Sequence, residues 1–215
     1  MVGSNAERLA SAGTELGEDA LLVLADLRKP ADVTRAVEEA RSKFGKINVV
    51  FANAGSGVVA PLAAITPAQI EEHFSLNFTG LLLTIQKTAP LIPREGSIIA
   101  TSSFLNSVGV PGHSLLAATK AAVRSLVRTL GAELAPHGIR VNAISPGAIT
   151  TPFYGKLGLS EEQVSSAAAA IQAKVPLQRF GSTSEIAKTA LFLASDDSSY
   201  TTGAELVVDG GLTQF

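Results

Sequence analysis

Short apolar runs alternate with helix-forming stretches along this chain, and few folds tolerate that alternation. Residues 20–25 (ALLVLA), 47–52 (INVVFA), 97–101 (SIIAT) and 139–144 (IRVNAI) are largely apolar and only a few residues long, and 204–208 adds a last candidate strand. Runs of this kind, bounded by turn residues, read as strands buried on both faces. Helices are expected between them. The first spans 5–16 with Asn5 as its N-cap, and the second spans 31–44 and stops at Gly45. Pro67 opens a third that runs to about residue 89, where Pro90 and Pro93 break it. A long helix over 114–135 ends at Pro136 and Gly138, and two more are expected at 160–173 and 184–194. Strand–helix alternation of this kind predicts a single α/β domain over 1–215, a parallel sheet covered by helices on both sides.

In such sheets ligands bind at the carboxyl ends of the strands. Small and polar residues collect there: Asp26, Asn53-Ala54-Gly55, Ser102-Ser103 and Ser145-Pro146-Gly147. Each cluster alone reads as ordinary turn chemistry. Together they describe one ligand rim.

Composition removes other functions. Net charge is −2 with no basic run, which argues against nucleic acid as a partner. The absence of Cys removes thiolate catalysis, and His73, His113 and His137 show no metal-ligand spacing. No apolar run reaches the ~18–20 residues of a membrane span. MVGSNAERLA lacks the charged start and apolar core of a signal peptide, so a cytoplasmic protein is expected.

The stretch 96–123, GSIIATSSFLNSVGVPGHSLLAATKAAV, carries the densest chemistry. A strand delivers Ser102 and Ser103 to the rim. Lys120 then lies one turn into a helix of Ala, Leu and Val. It either snorkels from a helix edge or serves a polar site.

In ordered combination these residues resemble the short-chain dehydrogenase/reductase family across nearly the whole chain. The resemblance is carried by Asn53-Ala54-Gly55 after a strand, Asn77 in LNFTG, Ser103 with Lys120, Pro146-Gly147 followed by Ile149 and Thr151, and Val208-Asp209-Gly210-Gly211. Members acting as 3-oxoacyl reductases and glucose dehydrogenases look nearest. The resemblance implies a Rossmann-type doubly wound parallel sheet in three αβα layers. It also implies NAD(P)-dependent reduction of a small carbonyl compound or oxidation of the alcohol. Asp26 would bond the adenine amino group, unless it merely caps the next turn, and Leu27 would line the ring. Asn53, Ala54 and Gly55 would lie against the adenosine ribose. Asn77 would kink its helix and hold a water, and Ser103 would polarise the carbonyl. Lys120 would bond the nicotinamide ribose and lower the pKa of the catalytic acid. Pro146 and Gly147 belong to the cofactor rim, with Ile149 meeting the carboxamide and Thr151 the amide or phosphate. Residues 152–175 would form a substrate lid. Helices 67–89 and 114–135 would build a homodimer or homotetramer.

Two departures shape what is expected of this chain. The family places tyrosine four residues before the lysine, where the two share a helix face; here that position is Leu116. Leucine transfers no proton, and general acid–base catalysis is worth ~10²–10⁴-fold, so impaired activity is expected. Tyr154 and His113 are possible substitutes that lack the register. The second departure is the glycine-rich turn of TGxxxGxG type, which does not occur. The chain opens at what resembles the exit of the family's second strand. The first strand–helix unit and most of the second strand, roughly 30 residues, are without counterpart. A gap in the sheet between the strands at 20–25 and 47–52 follows. A reading frame begun at an internal methionine, or a fragment, is the expected cause, with a genuine truncated homologue as the alternative. No acid stands at Gly3-Ser4, which leans cofactor choice toward NADP over NAD. A non-catalytic subunit working through association is the rival reading.

Overall fold

The computed structural model describes residues 1–151 and 161–215. Strands β1 (Val2–Gly3) and β2 (Val23–Leu24) form one parallel pair, and β3 (Val49–Ala52), β4 (Ser97–Thr101), β5 (Arg140–Pro146) and β6 (Glu205–Val208) form a four-stranded parallel sheet in that order. The helices are α1 (Ala6–Leu16), α2 (Pro30–Phe44), α3 (Pro67–Phe74), α4 (Leu81–Thr88), α5 (Ser114–Leu134), α6 (Glu161–Gln172) and α7 (Thr183–Ala194). The α/β class and parallel pairing are those expected. The separation into two ladders falls where the sequence predicts a gap.

Local chemistry explains the element boundaries. The Asn5 side chain accepts from the Arg8 amide and caps α1. Thr66 and Gln69 form a reciprocal capping box that starts α3, with Pro67 in its first turn. Ser182 and Glu185 do the same for α7. Gly138, left-handed at φ 74°, turns the chain from α5 into β5.

The main core lies on one face of the larger sheet. Val50, Ala52, Ile98, Ala100, Val141 and Ala143 pack against Leu81 and Ile85 of α4 and Val123 and Val127 of α5. Alternation sends Ile99 and Ile144 to the other face, where α7 covers them with Leu193. A small separate cluster of Val23, Ala25 and Ala36 joins β2 to α2.

Two strand expectations need correction. The runs 20–25 and 47–52 are shorter as strands than predicted, and neither is buried on both faces. Leu24 is 52% exposed, and Val49 and Phe51 are 40% and 43% exposed. The cause is helix placement. α7 packs on β4, β5 and β6, so the β3 face bearing Val49 and Phe51 lacks its cover.

Candidate active site

Asn77 organises the rim. It lies in a π-helical turn, Ser75–Gly80, between α3 and α4, and it is fully buried. The family resemblance predicts a kink at this residue; the structure has a π-helical turn there, a form of helix that widens locally and often sits at functional positions. The Asn77 Oδ1 accepts from the Ser56 amide at 2.9 Å, and Nδ2 donates to the Ser56 carbonyl at 2.9 Å and to Thr119 Oγ1 at 3.2 Å. One amide thus clamps the loop after β3 to α5, beside Lys120. His73 pins the same loop again. Its Nε2 accepts from the Val58 amide at 3.0 Å, so the proton sits on Nδ1, which donates to the Gln69 carbonyl at 2.7 Å.

Lys120 is 6% exposed, which rules out snorkelling. Its Nζ donates to the Thr101 carbonyl at 2.7 Å. Burial pulls its pKa down to about 8, because the charged form loses hydration. Above it, Asn53, Ala54 and Gly55 are exposed at the rim, and Thr101 Oγ1 donates to Asn53 Oδ1 at 2.9 Å. A Cβ added at Gly55 would stand 3.2 Å from Asn77 Oδ1 and 3.4 Å from Lys120 Nζ. Glycine therefore leaves a cradle directly over the lysine.

The two serines divide their tasks. Ser102 is buried; its Oγ donates to the Lys120 carbonyl at 2.9 Å and accepts from Asn106 Nδ2 at 2.9 Å. Asn106 Nδ2 also approaches Ser145 Oγ at 3.2 Å and donates to Glu205 Oε1, and Ser145 Oγ donates to the same oxygen. Arg124 closes the network, with Nε on Glu205 Oε2 at 2.9 Å and Nη1 on the Gly203 carbonyl at 3.0 Å. Both serines line a cavity of about 450 Å³, and Ser103 Oγ there accepts weakly from the Leu105 amide at 3.3 Å. Leu116 lines this cavity, its methyl 3.0 Å from where a Cβ on Gly57 would be. Pro146, Gly147, Ile149 and Thr151 supply another wall, and Phe104, Val110 and Leu212 make most of the rest apolar. His113 lines the cavity too. Tyr154, with residues 152–160 of the proposed lid, lies outside the described residues; from the rest of that segment Ile171 and Lys174 line the cavity.

Asp26 and Leu27 stand at the exit of β2. The Arg28 guanidinium holds the Asp26 carboxyl below the usual carboxylate range, bonding it through Nε and Nη2 at 2.9 Å each. The Asp26 carboxylate also accepts from the Arg28 amide, so it does form the local turn contact. Leu27 is fixed to the rim by close approach, because a Cβ at Gly80 would fall 2.5 Å from the Leu27 carbonyl oxygen. Only glycine at that point of the LNFTG segment lets the β2 exit pack against the helix bearing Asn77.

A second hollow of about 390 Å³ opens beside Glu95, Arg140 and Asp196 at the opposite end of the strands. Arg140 is already committed there to the Leu193 and Ser195 carbonyls and Ser198 Oγ. Sequence reasoning missed Thr119, Asn106, Arg124 and Glu205 and left Ser145 without a role. Arg124 and Glu205 are a charged pair embedded in apolar surroundings, and that was the one available signal.

For a nicotinamide dinucleotide, the fit divides along the molecule. The cradle over Lys120, the small rim residues 53–55 and the wall 146–151 suit a ribose and a flat amide-bearing ring. No glycine-rich turn at a helix N-terminus is offered for the pyrophosphate among the described residues.

Comparison with known proteins covers almost the whole chain. The family model described as Enoyl-(Acyl carrier protein) reductase matches residues 2–213. Oxidoreductase asL5 of Sarocladium schorii is 38% identical over 214 residues, covering 99% of this chain and 84% of that protein. Glucose 1-dehydrogenase of Gluconobacter oxydans is 37% identical over 193 residues, covering 88% and 71%. The crystal structure of 3-ketoacyl-(acyl-carrier-protein) reductase from Brucella melitensis, complexed with NADH, superposes with a TM-score of 0.90 at 31% identity, covering 99% of this chain and 86% of that one.

Proposed function

The chain belongs to the short-chain dehydrogenase/reductase family, and we propose that it acts on a carbonyl/alcohol pair with a nicotinamide cofactor, at a rate lowered by Leu116. The observation that carries this reading is an apolar cavity lined by Ser103 and Leu116, whose loop residues Gly57 and Val58 adjoin the stretch that Asn77 holds beside Lys120. Asn53, Ala54, Gly55, Lys120, Pro146, Gly147, Ile149 and Thr151 would hold the cofactor, with Asp26 and Leu27 at its adenine end. Once bound in its reduced form, it supplies a hydride. Ser103 Oγ donates to the carbonyl oxygen and draws electron density from the carbonyl carbon. Asn77 keeps the loop 53–60 against α5, and Lys120 fixes the ribose from below. The apolar lining selects an uncharged, medium-sized carbonyl compound and excludes water.

NADP is preferred over NAD, because no acid at Gly3-Ser4 repels a 2′-phosphate. Residues 1–215 hold no glycine-rich turn for the pyrophosphate, so this stretch by itself binds the cofactor weakly. Calorimetric titration is expected to give a dissociation constant well above the micromolar range for NADPH, and weaker binding still for NADH. Micromolar NADPH binding would show that other residues hold the pyrophosphate. Turnover of a panel of apolar ketones with millimolar NADPH tests the activity itself. A second reading, favoured by Leu116, is a non-catalytic subunit that assembles in the cytoplasm through helices 67–89 and 114–135. Absence of turnover together with stable dimers or tetramers in sedimentation would support that reading.

A further inference from the structure

We propose that His113 supplies and takes up the proton at this site, an inference that rests on the carbonyl/alcohol reading above. Leu116 offers the cavity no transferable proton. Among the described residues lining the cavity, the titratable side chains are His113 and Lys174. Lys174 is exposed to bulk water, whereas His113 is half-buried. His113 occupies the N-cap of α5, three residues before Leu116, so the two stand on neighbouring positions of one helix face.

The imidazole is oriented by its own backbone. Its Nδ1 lies 3.1 Å from the Pro111 carbonyl oxygen, which can only accept, so Nδ1 carries a hydrogen. Nε2 is then the atom that gains or loses a proton, and hydrogen bonding at one ring nitrogen leaves the other for chemistry. The other histidine near this loop cannot serve. Both ring nitrogens of His73 are engaged, one by the Val58 amide and one by the Gln69 carbonyl. No charged side chain of the 104–106 turn faces His113; across the cavity stands Lys174.

In the reductive direction the imidazolium gives its Nε2 proton to the carbonyl oxygen as hydride adds to the carbonyl carbon. The C=O π bond breaks, one C–H and one O–H bond form, the carbonyl is reduced and the nicotinamide oxidised. His113 is left neutral and regains a proton from water. In the oxidative direction neutral Nε2 accepts the alcohol proton. Reduction should therefore slow as pH rises and oxidation quicken.

The test compares the parent chain with His113→Gln, which keeps a side chain able to donate to Pro111 but cannot titrate. With 2-octanone and NADPH, kcat should fall ~10²–10⁴-fold, KM should change by less than about threefold, and the pH dependence should flatten. Unchanged thermal melting shows that the variant folds. A readout free of turnover comes from the His113 Cε1–H resonance. 2-Octanone added without cofactor should shift it saturably and leave the exposed His137 unmoved. Turnover that survives His113→Gln with an unaltered pH profile overturns the role of His113 alone, as does an unmoved His113 resonance in a chain that turns over. A parent chain without turnover overturns the reductase reading, and this role with it.

Discussion

Beneath the cavity, Asn77, Thr119, Ser102, Asn106, Ser145 and Glu205 form continuous hydrogen-bond chains, and no buried side-chain polar atom among the described residues lacks a partner. Around its mouth, Phe104, Val108, Val110, Leu116 and Leu212 present carbon. The floor is rigid, since each amide and hydroxyl there is committed to a structural bond, and in the proposed reading it fixes where a carbonyl and a cofactor sit. The mouth decides whether a proton can move. The difference teaches that positioning and proton transfer are separable here. A hydrogen-bonded floor that includes Asn77 and Ser102 stands here beneath a cavity whose wall carries leucine at residue 116.

Restoring the acid at the mouth is the sharpest way to test that separation, and it carries the largest expected effect. Leu116→Tyr places a phenol one helical turn from Lys120, on the wall that already holds Ser103. In a His113→Gln background, where the mouth has lost its proposed donor, the tyrosine should raise carbonyl reduction by ~10²-fold or more, since that is the scale of general acid–base catalysis. Steady-state kcat with NADPH and an apolar ketone measures it. Equal turnover of His113→Gln with and without the tyrosine would show that a further group supplies the proton.

The floor and the mouth also differ in how legible they were. Strand ends alone marked the rim at Asp26, 53–55, 102–103 and 145–147, whereas Asn77, the pairing of Ser103 with Lys120, and the departure at Leu116 were legible only through the resemblance to the family's motifs. β4 and α5 matched closely, since an apolar run and Pro/Gly stops are local signals. The network under Ser102 could not be read, because Arg124 meets Glu205 across 81 residues and neither lies near a motif. The half-open faces of β2 and β3 escaped for a related reason. An apolar run says that a strand is willing to be buried, while what packs against it decides whether it is, and for β3 that is the placement of α7 on β4, β5 and β6.

A second test asks what the floor costs. Lys120 is pulled from an ordinary 10.5 to about 8 by burial. Between those two values the unfolded chain holds a proton that the folded chain has released. Stability then rises with pH across the window, because the unfolded state binds more protons. Below pH 8 both states are protonated and the buried ammonium carries its full penalty of about 3 kcal/mol. Lys120→Met removes the titration and keeps the bulk. Urea unfolding of both proteins from pH 7 to 10.5 should show a stability difference that is flat below about pH 8. It should then move by about 3 kcal/mol in favour of the parent chain as pH climbs. A difference that stays flat throughout would mean that the Thr101 carbonyl compensates the charge fully, and that the floor stores no strain at its lysine.

The smallest effect is expected where floor and mouth touch. Gly55→Ala puts a methyl 3.2 Å from Asn77 Oδ1 and 3.4 Å from Lys120 Nζ. The lysine end can shift by a few tenths of an ångström; the Asn77 oxygen cannot do so without stretching its bond to the Ser56 amide. Alanine also narrows the unfolded ensemble, which favours folding by roughly 0.4–1 kcal/mol, so the two terms should nearly cancel in global stability. Local opening should not cancel. Amide exchange at Ser56 should quicken by about tenfold while the core amides of Ile98 and Ile99 in β4 keep their protection. Tenfold corresponds to about 1.4 kcal/mol of lost local stability, a plausible cost for one strained amide clamp. If Ser56 exchange were unchanged, the clamp would have to be loose, and the rim over Lys120 would be set by the loop's own packing and not by Asn77.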